Sequence, residues 1–78
     1  MIQPVRRGMW IRRAHDGAVG ILQRGQSAAM WSIHVVGEDG STVAVAPISV
    51  LHFRQARLSE IPAVRRPSAE MARQFGYR

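Results

Sequence analysis

Three histidines and a few carboxylates are the side chains of this chain that could bind a metal ion or carry out acid–base chemistry. The histidines are His15, His34 and His52, and the sequence contains no cysteine. None of the three has a second ligand at helical spacing, and the one adjacent carboxylate, Asp16, falls in a predicted turn. We therefore expect one loop histidine and two histidines on strand surfaces, with no metal site and no cofactor.

The sequence also lacks a motif for nucleophilic catalysis. Serine, histidine and aspartate all occur, but there is no Gly-x-Ser-x-Gly elbow. A chain of 78 residues has room for one domain with a small core, which leaves little space for a buried active site and its small-molecule substrate. We predict a binding or assembly protein that is not an enzyme.

The positive charge of the chain is carried by arginine alone. Eleven arginines and no lysine face five carboxylates, which gives a formal net charge of +6 at pH 7. A guanidinium group donates paired hydrogen bonds to phosphate or carboxylate and stacks on bases and aromatic rings. Nucleic acid and acidic protein surfaces are therefore natural partners. Because the arginines are scattered in pairs, an ordinary solvated basic surface remains an alternative.

Membrane and export signals are not visible in the sequence. No apolar run approaches the ~20 residues that span a bilayer. Residues 1–19 lack the continuous apolar segment of a signal peptide. We expect no membrane partner and an intracellular, cytoplasmic location.

Alternation of apolar and polar residues predicts strands in the first two thirds of the chain. They cover residues 9–13, 19–24, 30–36 and 42–46. Pro47 is predicted to end the fourth strand, because proline lacks an amide donor. Trp31 and Phe53 are expected in the core.

Two interpretations compete for the segment that follows. Residues 48–51 are typical of a 3₁₀ turn, which would lead into a fifth strand over residues 52–57. The alternative is a helix from Ser49 to Ile61, because apolar residues recur there at near-helical spacing. We favour the strand, which predicts a mainly β fold: a five-stranded, SH3-like small barrel over residues 1–60.

Residues 5–24 resemble the KOW motif, the strand–loop–strand unit that opens small SH3-like barrels in ribosomal proteins and transcription elongation factors. The residues that carry the resemblance are Gly8, Ile11, Gly17, Gly20 and Leu22. Met9 and Arg13 depart from it, since the family often has an acidic residue and a core aliphatic there. Gly17 suits a turn that needs positive φ, and Gly20 lets a second backbone approach closely. The resemblance implies a barrel that binds nucleic acid or protein.

Trp10 is a candidate for stacking on nucleic-acid bases. If Ile11 points into the core, strand alternation places Trp10 and Arg12 on the outer face. An exposed tryptophan among arginines would suit single-stranded nucleic acid. The alternative, which we favour, is that Trp10 covers the barrel edge or receives a C-terminal helix. The candidate nucleic-acid-binding residues are Arg6, Arg7, Trp10, Arg12, Arg13 and Arg24.

The composition changes after residue 60. Residues 61–67 carry two prolines around Arg65 and Arg66, and we predict an extended tether without a core of its own. Residues 68–78 are predicted to form the tail, in which Ser68 caps a short helix over residues 69–75.

The apolar stripe of this helix would comprise Met71, Ala72 and Phe75. A helix of about seven residues is unstable alone, so it must dock on the barrel, dock on another subunit, or fold on binding. Residues 54–70, with the terminal Phe-Gly-Tyr, also resemble small proteins of tailed-phage and prophage structural clusters. That resemblance implies a virion component.

Two functions are open at this point. In the favoured one, the chain is a non-enzymatic module of protein assembly, and its tail binds protein subunits, of its own kind or another, through Arg65, Arg66, Met71 and Phe75. The tail has no evident intramolecular reason to be so long, and the basic residues follow no single stripe. The alternative is a basic, KOW-like nucleic-acid-binding module.

Overall fold

A computed structural model of the chain describes residues 5–74 and 76–77. The strands are β1 (Trp10–Arg13), β2 (Val19–Gly25), β3 (Met30–Val36), β4 (Thr42–Ser49) and β5 (Phe53–Gln55). Three 3₁₀ turns, Val50–His52, Leu58–Glu60 and Ala63–Arg65, precede one short helix, α1 (Ala69–Gln74). The predicted mainly β fold with a short C-terminal helix is confirmed.

The five strands form one antiparallel sheet in the order β4-β3-β2-β1-β5. The first four make a meander, and β5 then returns to β1, where Ile11 lies opposite Gln55. This return of the last strand to the first is the arrangement expected of the predicted SH3-like barrel. The competing helix over residues 49–61 is wrong. The Ser49 hydroxyl caps a single 3₁₀ turn by accepting from the Leu51 N–H at 3.2 Å, and residues 53–55 then pair with β1.

The end of β4 differs from the prediction. The strand continues through Pro47 to Ser49. Ile48 lies opposite Trp31 and Val45 opposite Ile33, so the register shifts between the two pairs. Two residues of β4 therefore face one residue of β3 in a bulge. At a bulge the ladder does not require the N–H that proline lacks.

One core lies on one face of the sheet. Its buried side chains are Met9, Ile11, Leu22, Ile33 and Ile48. Their strand positions alternate with residues that point to the other face, as the period of two requires. Trp31 and Phe53 pack against this core while staying partly exposed, so their predicted core role is met in part.

A second core lies on the opposite face of β1. Trp10, Val36, Ala56 and Ile61 are buried together there, and Tyr77 packs against them. Ile61 is completely buried. The prediction that residues 61–67 form a bare tether is therefore wrong: the segment contains a 3₁₀ turn, and its first residue belongs to a core.

The tail ends in a hydrogen-bonded cap. Gly76 has φ of 76°, its N–H donates to the Arg73 carbonyl at 3.2 Å, and the Tyr77 N–H donates to the Ala72 carbonyl at 2.9 Å. These two bonds define a Schellman motif, which turns the chain after the helix and sends Tyr77 back to the sheet. Ser68 caps the other end as predicted, accepting from the Met71 N–H. Phe75, assigned to the helix from sequence, lies outside the described residues.

Two glycines behave as their sequence positions predicted. Gly17 has φ of 73°, which confirms the expected turn. Gly20 is buried between strands, and a Cβ atom there would lie 2.7 Å from the carbonyl oxygen of His34 and 2.9 Å from Cδ1 of Ile33. The close approach of β3 therefore leaves no room for a side chain.

We expect Gly20→Ala to lower the free energy of unfolding by about 1–3 kcal/mol, because the added methyl group collides with the backbone of β3. Gly25→Ala is a matched control in the same strand, since its Cβ would meet Trp31 at an ordinary 3.5 Å. The control should change stability by less than about 0.5 kcal/mol. Urea unfolding of both variants measures the difference, and equal losses would contradict the steric explanation.

Candidate interaction surface

Arg12, one of the arginines expected to contact nucleic acid, is held by a carboxylate. Arg12 and Arg54 lie directly opposite each other on β1 and β5. The Glu60 carboxylate sits between them and accepts from both, with Arg54 Nη2 at 2.7 Å and Nη1 at 2.9 Å. Glu60 also accepts from the Arg57 N–H at 2.8 Å. One carboxylate thus relieves the repulsion of two facing cations.

These contacts change the acidity of Glu60. Hydrogen bonds from Arg54, together with those from the Arg57 N–H and Arg12, hold the pKa of the Glu60 carboxyl well below its usual range. The Glu60 side chain is only 13 % exposed, so the pairing is shielded from water more than a typical surface ion pair.

Arg13 is paired in the same way within its own turn. Its Nε and Nη2 atoms donate to the two oxygens of Asp16 at 3.0 and 2.6 Å. Asp16 also accepts from the Ala18 N–H at 3.0 Å. The bonds from Arg13 and Ala18 lower the pKa of Asp16 below its usual range. Arg13 therefore stabilises the turn that Gly17 makes possible.

Trp10 does not form a stacking platform. It is buried in the second core with 9 % of its surface exposed, so its ring is not open to stack on a base, and its burial with Ile61 and Tyr77 is closer to the favoured alternative. Its backbone carbonyl accepts from the Ala56 N–H at 3.0 Å, and its own N–H donates to the Tyr77 hydroxyl at 2.6 Å. Burial raises the pKa of Tyr77, against the opposing effects of the Trp10 N–H and the charge of Arg6.

The structure brings Arg7 and Arg24 together around a different tryptophan. Both are exposed, and they line a shallow cleft of about 340 Å³ with Gln23, Gly25 and Trp31. Within the described part of the chain, neither arginine forms an ion pair. An aromatic ring with two cations beside it has the chemistry to attract anions or planar groups.

Trp31 also borders an apolar cleft of about 590 Å³. The cleft is lined by Val5, Ser27, Ala28, Trp31, Val50, Leu51, Phe53 and Arg54. Leu51 is 85 % exposed, because the 3₁₀ turn after β4 points its side chain outward. A third cleft, of about 420 Å³, shares Leu51, Phe53 and Arg54 and continues to Arg13.

The three clefts share lining residues, and we name them together the Trp31 face. Its large apolar residues are Trp31, Leu51 and Phe53. Arg7 and Arg24 line one of the clefts beside Trp31, and Arg54 lines the other two. The sequence reasoning missed this surface because Trp31 and Phe53 have the alternation of core residues. The available signal was an aliphatic side chain, Leu51, within the predicted 3₁₀ turn.

The predicted tail residues mostly contact their own domain. Arg65 donates to the Gly40 carbonyl at 2.9 Å, and Arg66 donates to the Ile61 carbonyl at 2.8 Å. Met71 is 45 % exposed, whereas Ala72, its neighbour in the predicted stripe, is buried. Phase along so short a helix is hard to assign from sequence.

The described residues contain no group of three or more histidine, cysteine or acidic side chains that could hold a metal ion. His15 is exposed, with its Nε2 3.7 Å from Asp16 Oδ2. Within the same residues, no helix has the length and apolar character needed to cross a membrane.

Comparison of the chain with protein-family models, with curated proteins and with solved structures gives no match. The KOW-like and phage-like resemblances of the sequence therefore stay predictions. The function must be argued from the surface of the domain.

The cluster around Glu60 predicts a pH dependence of stability. A carboxyl group with a lowered pKa in the folded state stabilises the fold above its ordinary pKa of 4.5, and this contribution is lost as the pH falls toward the folded value. Glu60→Gln should therefore melt below the wild type at pH 7, and the difference should shrink as the pH falls from about 5 to 2.

Glu38→Gln is the control for this measurement, because Glu38 is exposed and forms no ion pair within residues 5–74. Its melting temperature should follow that of the wild type across the range. A pH-independent difference for Glu60→Gln would contradict the electrostatic explanation.

Proposed function

We propose that this chain is a non-enzymatic interaction module that acts in protein assembly and binds an apolar segment with acidic flanks from a partner protein. The observation that carries the proposal is the exposure of Leu51, at 85 %, beside Trp31 and Phe53 in an apolar cleft. Apolar side chains gathered on the surface of a small domain mark a site that another molecule covers.

The charges around the cleft support an acidic partner. Arg7 and Arg24 carry no ion pair within the described chain, and Arg54 shares Glu60 with Arg12. Arginine at the rim of an apolar site donates paired hydrogen bonds to carboxylates, and aromatic residues supply most of the contact energy at such interfaces. A segment with apolar residues in its middle and Asp or Glu on both sides would match this pattern.

The tail was expected to bind other subunits, and part of it packs on its own domain instead. Tyr77 and Ile61 supply the intramolecular reason for its length, since both pack on Trp10. Met71 keeps an exposed side chain, so a subunit contact through Met71 and Phe75 stays a prediction. Incorporation in a virion is supported only by the resemblance of the sequence of residues 54–70 to small phage proteins.

The first test is selection of random 12-residue peptides by the immobilised protein. We expect enrichment of peptides with Leu, Phe or Trp between acidic residues. Leu51→Ser should weaken binding of a selected peptide by about tenfold or more, because it removes apolar contact area from the centre of the site.

The matched control is Val64→Ser, which alters another exposed aliphatic side chain, 66 % exposed, outside the Trp31 face. It should leave peptide binding unchanged. Absence of any enriched peptide class, or equal loss in both variants, would refute the proposed site.

Nucleic-acid binding is the second candidate, and the cleft that Trp31 shares with Arg7 and Arg24 favours it. A base could stack on the indole ring while the two guanidinium groups contact the flanking phosphates. Of the original candidates, Arg12 and Arg13 are paired with carboxylates and Trp10 is buried. The candidate nucleic-acid site that remains consists of Arg7, Arg24 and Trp31, and it is smaller than the site predicted from sequence.

Fluorescence anisotropy with labelled oligo-dT tests this candidate. Binding at about 50 mM salt should weaken steeply as salt is added, and Arg7→Ala and Arg24→Ala should each reduce the salt slope by about one. Arg65→Ala serves as the control, because Arg65 carries the same charge but donates to the Gly40 carbonyl and does not line the Trp31 face. Absence of binding at low salt would exclude nucleic acid, because the electrostatic attraction is strongest there.

A further inference from the structure

The two edges of the sheet are finished differently. At β5 the edge is three residues long, and the Arg54 guanidinium donates to the Gln55 carbonyl at 2.9 Å. At β4 the edge is eight residues long, and no other strand of the described chain pairs with its outward side. Proteins usually blunt such an edge with charged side chains, because unpaired N–H and C=O groups recruit other strands.

The β4 edge carries none of that charge. Residues 41–51 read Ser-Thr-Val-Ala-Val-Ala-Pro-Ile-Ser-Val-Leu, without a charged side chain. Thr42, Ala44 and Ala46 are exposed, and Val43 is 61 % exposed. Pro47 blunts one end of the strand, and the stretch before it is open.

The register shows which backbone groups face outward. The Ser41 carbonyl accepts from the Gly37 N–H at 2.9 Å, so Ser41 is directed to β3. Alternation then directs Val43 and Val45 to β3 as well and leaves the N–H and C=O groups of Thr42, Ala44 and Ala46 pointing outward.

We propose that β4 pairs antiparallel with β4 of a second copy of this chain, about a two-fold axis at Ala44. In this register Ala44 faces Ala44 of the second copy, and Thr42 faces its Ala46. These pairs are the hydrogen-bonding ones, and they use every outward group of the three residues.

The sequence around Ala44 is complementary to itself, as a two-fold contact requires. Val43 falls opposite Val45 of the second copy, so its exposed side chain is covered by a β-branched partner. The small side chains of Ala44 and Ala46 allow close approach. A heterologous acidic strand is less well matched, because no cation lies on this stretch to pair with it.

This inference is independent of the Trp31 face. The pairing residues 42–46 lie at the opposite end of β4 from Val50 and Leu51. A protein that binds peptide but stays monomeric at the highest concentration would refute the pairing alone, and a dimer that binds no peptide would refute the peptide site alone.

Sedimentation velocity of the full chain across concentrations tests the pairing. We expect a reversible shift from one copy to two as the concentration rises toward ~1 mM, since strand pairing alone makes a small interface. Added salt should strengthen the dimer by screening the +6 charge of each copy, whereas an assembly held by nucleic acid would come apart.

Charge exchange at Ala44 tests the axis. Ala44→Arg and Ala44→Glu should each raise the dimer dissociation constant by about tenfold or more, because like charges then face each other. Mixing the two variants should restore a dimer of one copy of each. Ala14→Arg, at an exposed position after β1, is the matched control and should dimerise like the wild type.

Circular dichroism confirms that each variant is folded, and Ala44→Lys replaces Ala44→Arg if that variant is not. A wild type that stays monomeric at the highest concentration would overturn the proposal. So would a dimer that is indifferent to Ala44→Arg, or a mixture that fails to form the heterodimer.

Discussion

The contacts of Trp10 hold the residues that follow β4 against the first strand of the sheet. Its carbonyl accepts from Ala56, just beyond β5, and its N–H donates to the hydroxyl of Tyr77. Its side chain lies in the second core with Ile61. A strand of four residues therefore has both faces and both edges occupied. Such a short strand gains its order from these neighbours, since few of its own contacts would hold it in place.

Ion pairs stabilise the strands next to Trp10 and decide which arginines keep their charge on the surface. Glu60 holds Arg12 and Arg54 together across β1 and β5, and Asp16 holds Arg13 in the turn. The +6 charge of the chain is therefore not spread evenly over its arginines. Arg7 and Arg24, which form no ion pair within the described residues, lie beside Trp31, and this placement gives the Trp31 face its electrostatic character.

Local patterns predicted much of the fold, because they reflect local constraints. The alternation of β3 predicted its bounds as Met30–Val36, and Gly17 predicted a turn with positive φ. The end of β4 was predicted wrongly at Pro47. The strand continues through a bulge, and a bulge depends on the register with β3, which the sequence of β4 alone does not reveal. Tyr77 was missed for a similar reason. The Tyr77 hydroxyl accepts from the Trp10 N–H, which lies 67 residues away in the sequence. The site was harder still, since the cleft at Leu51 brings together residues that are far apart in the sequence, such as Val5, Ala28 and Leu51.

The bond between Trp10 and Tyr77 also bears on how quickly the chain can fold. It joins groups separated by 67 residues, and the pairing of β1 with β5 is similarly remote along the sequence. Closing such long loops costs chain entropy before the contacts can form, so topologies rich in them fold slowly for their size. The β1–β2–β3–β4 meander can assemble from near neighbours, whereas the other edge of β1 must wait for β5 and for Tyr77. During that wait this edge and the Trp10 side chain stay uncovered, and this interval is the one in which the molecule is most prone to aggregate.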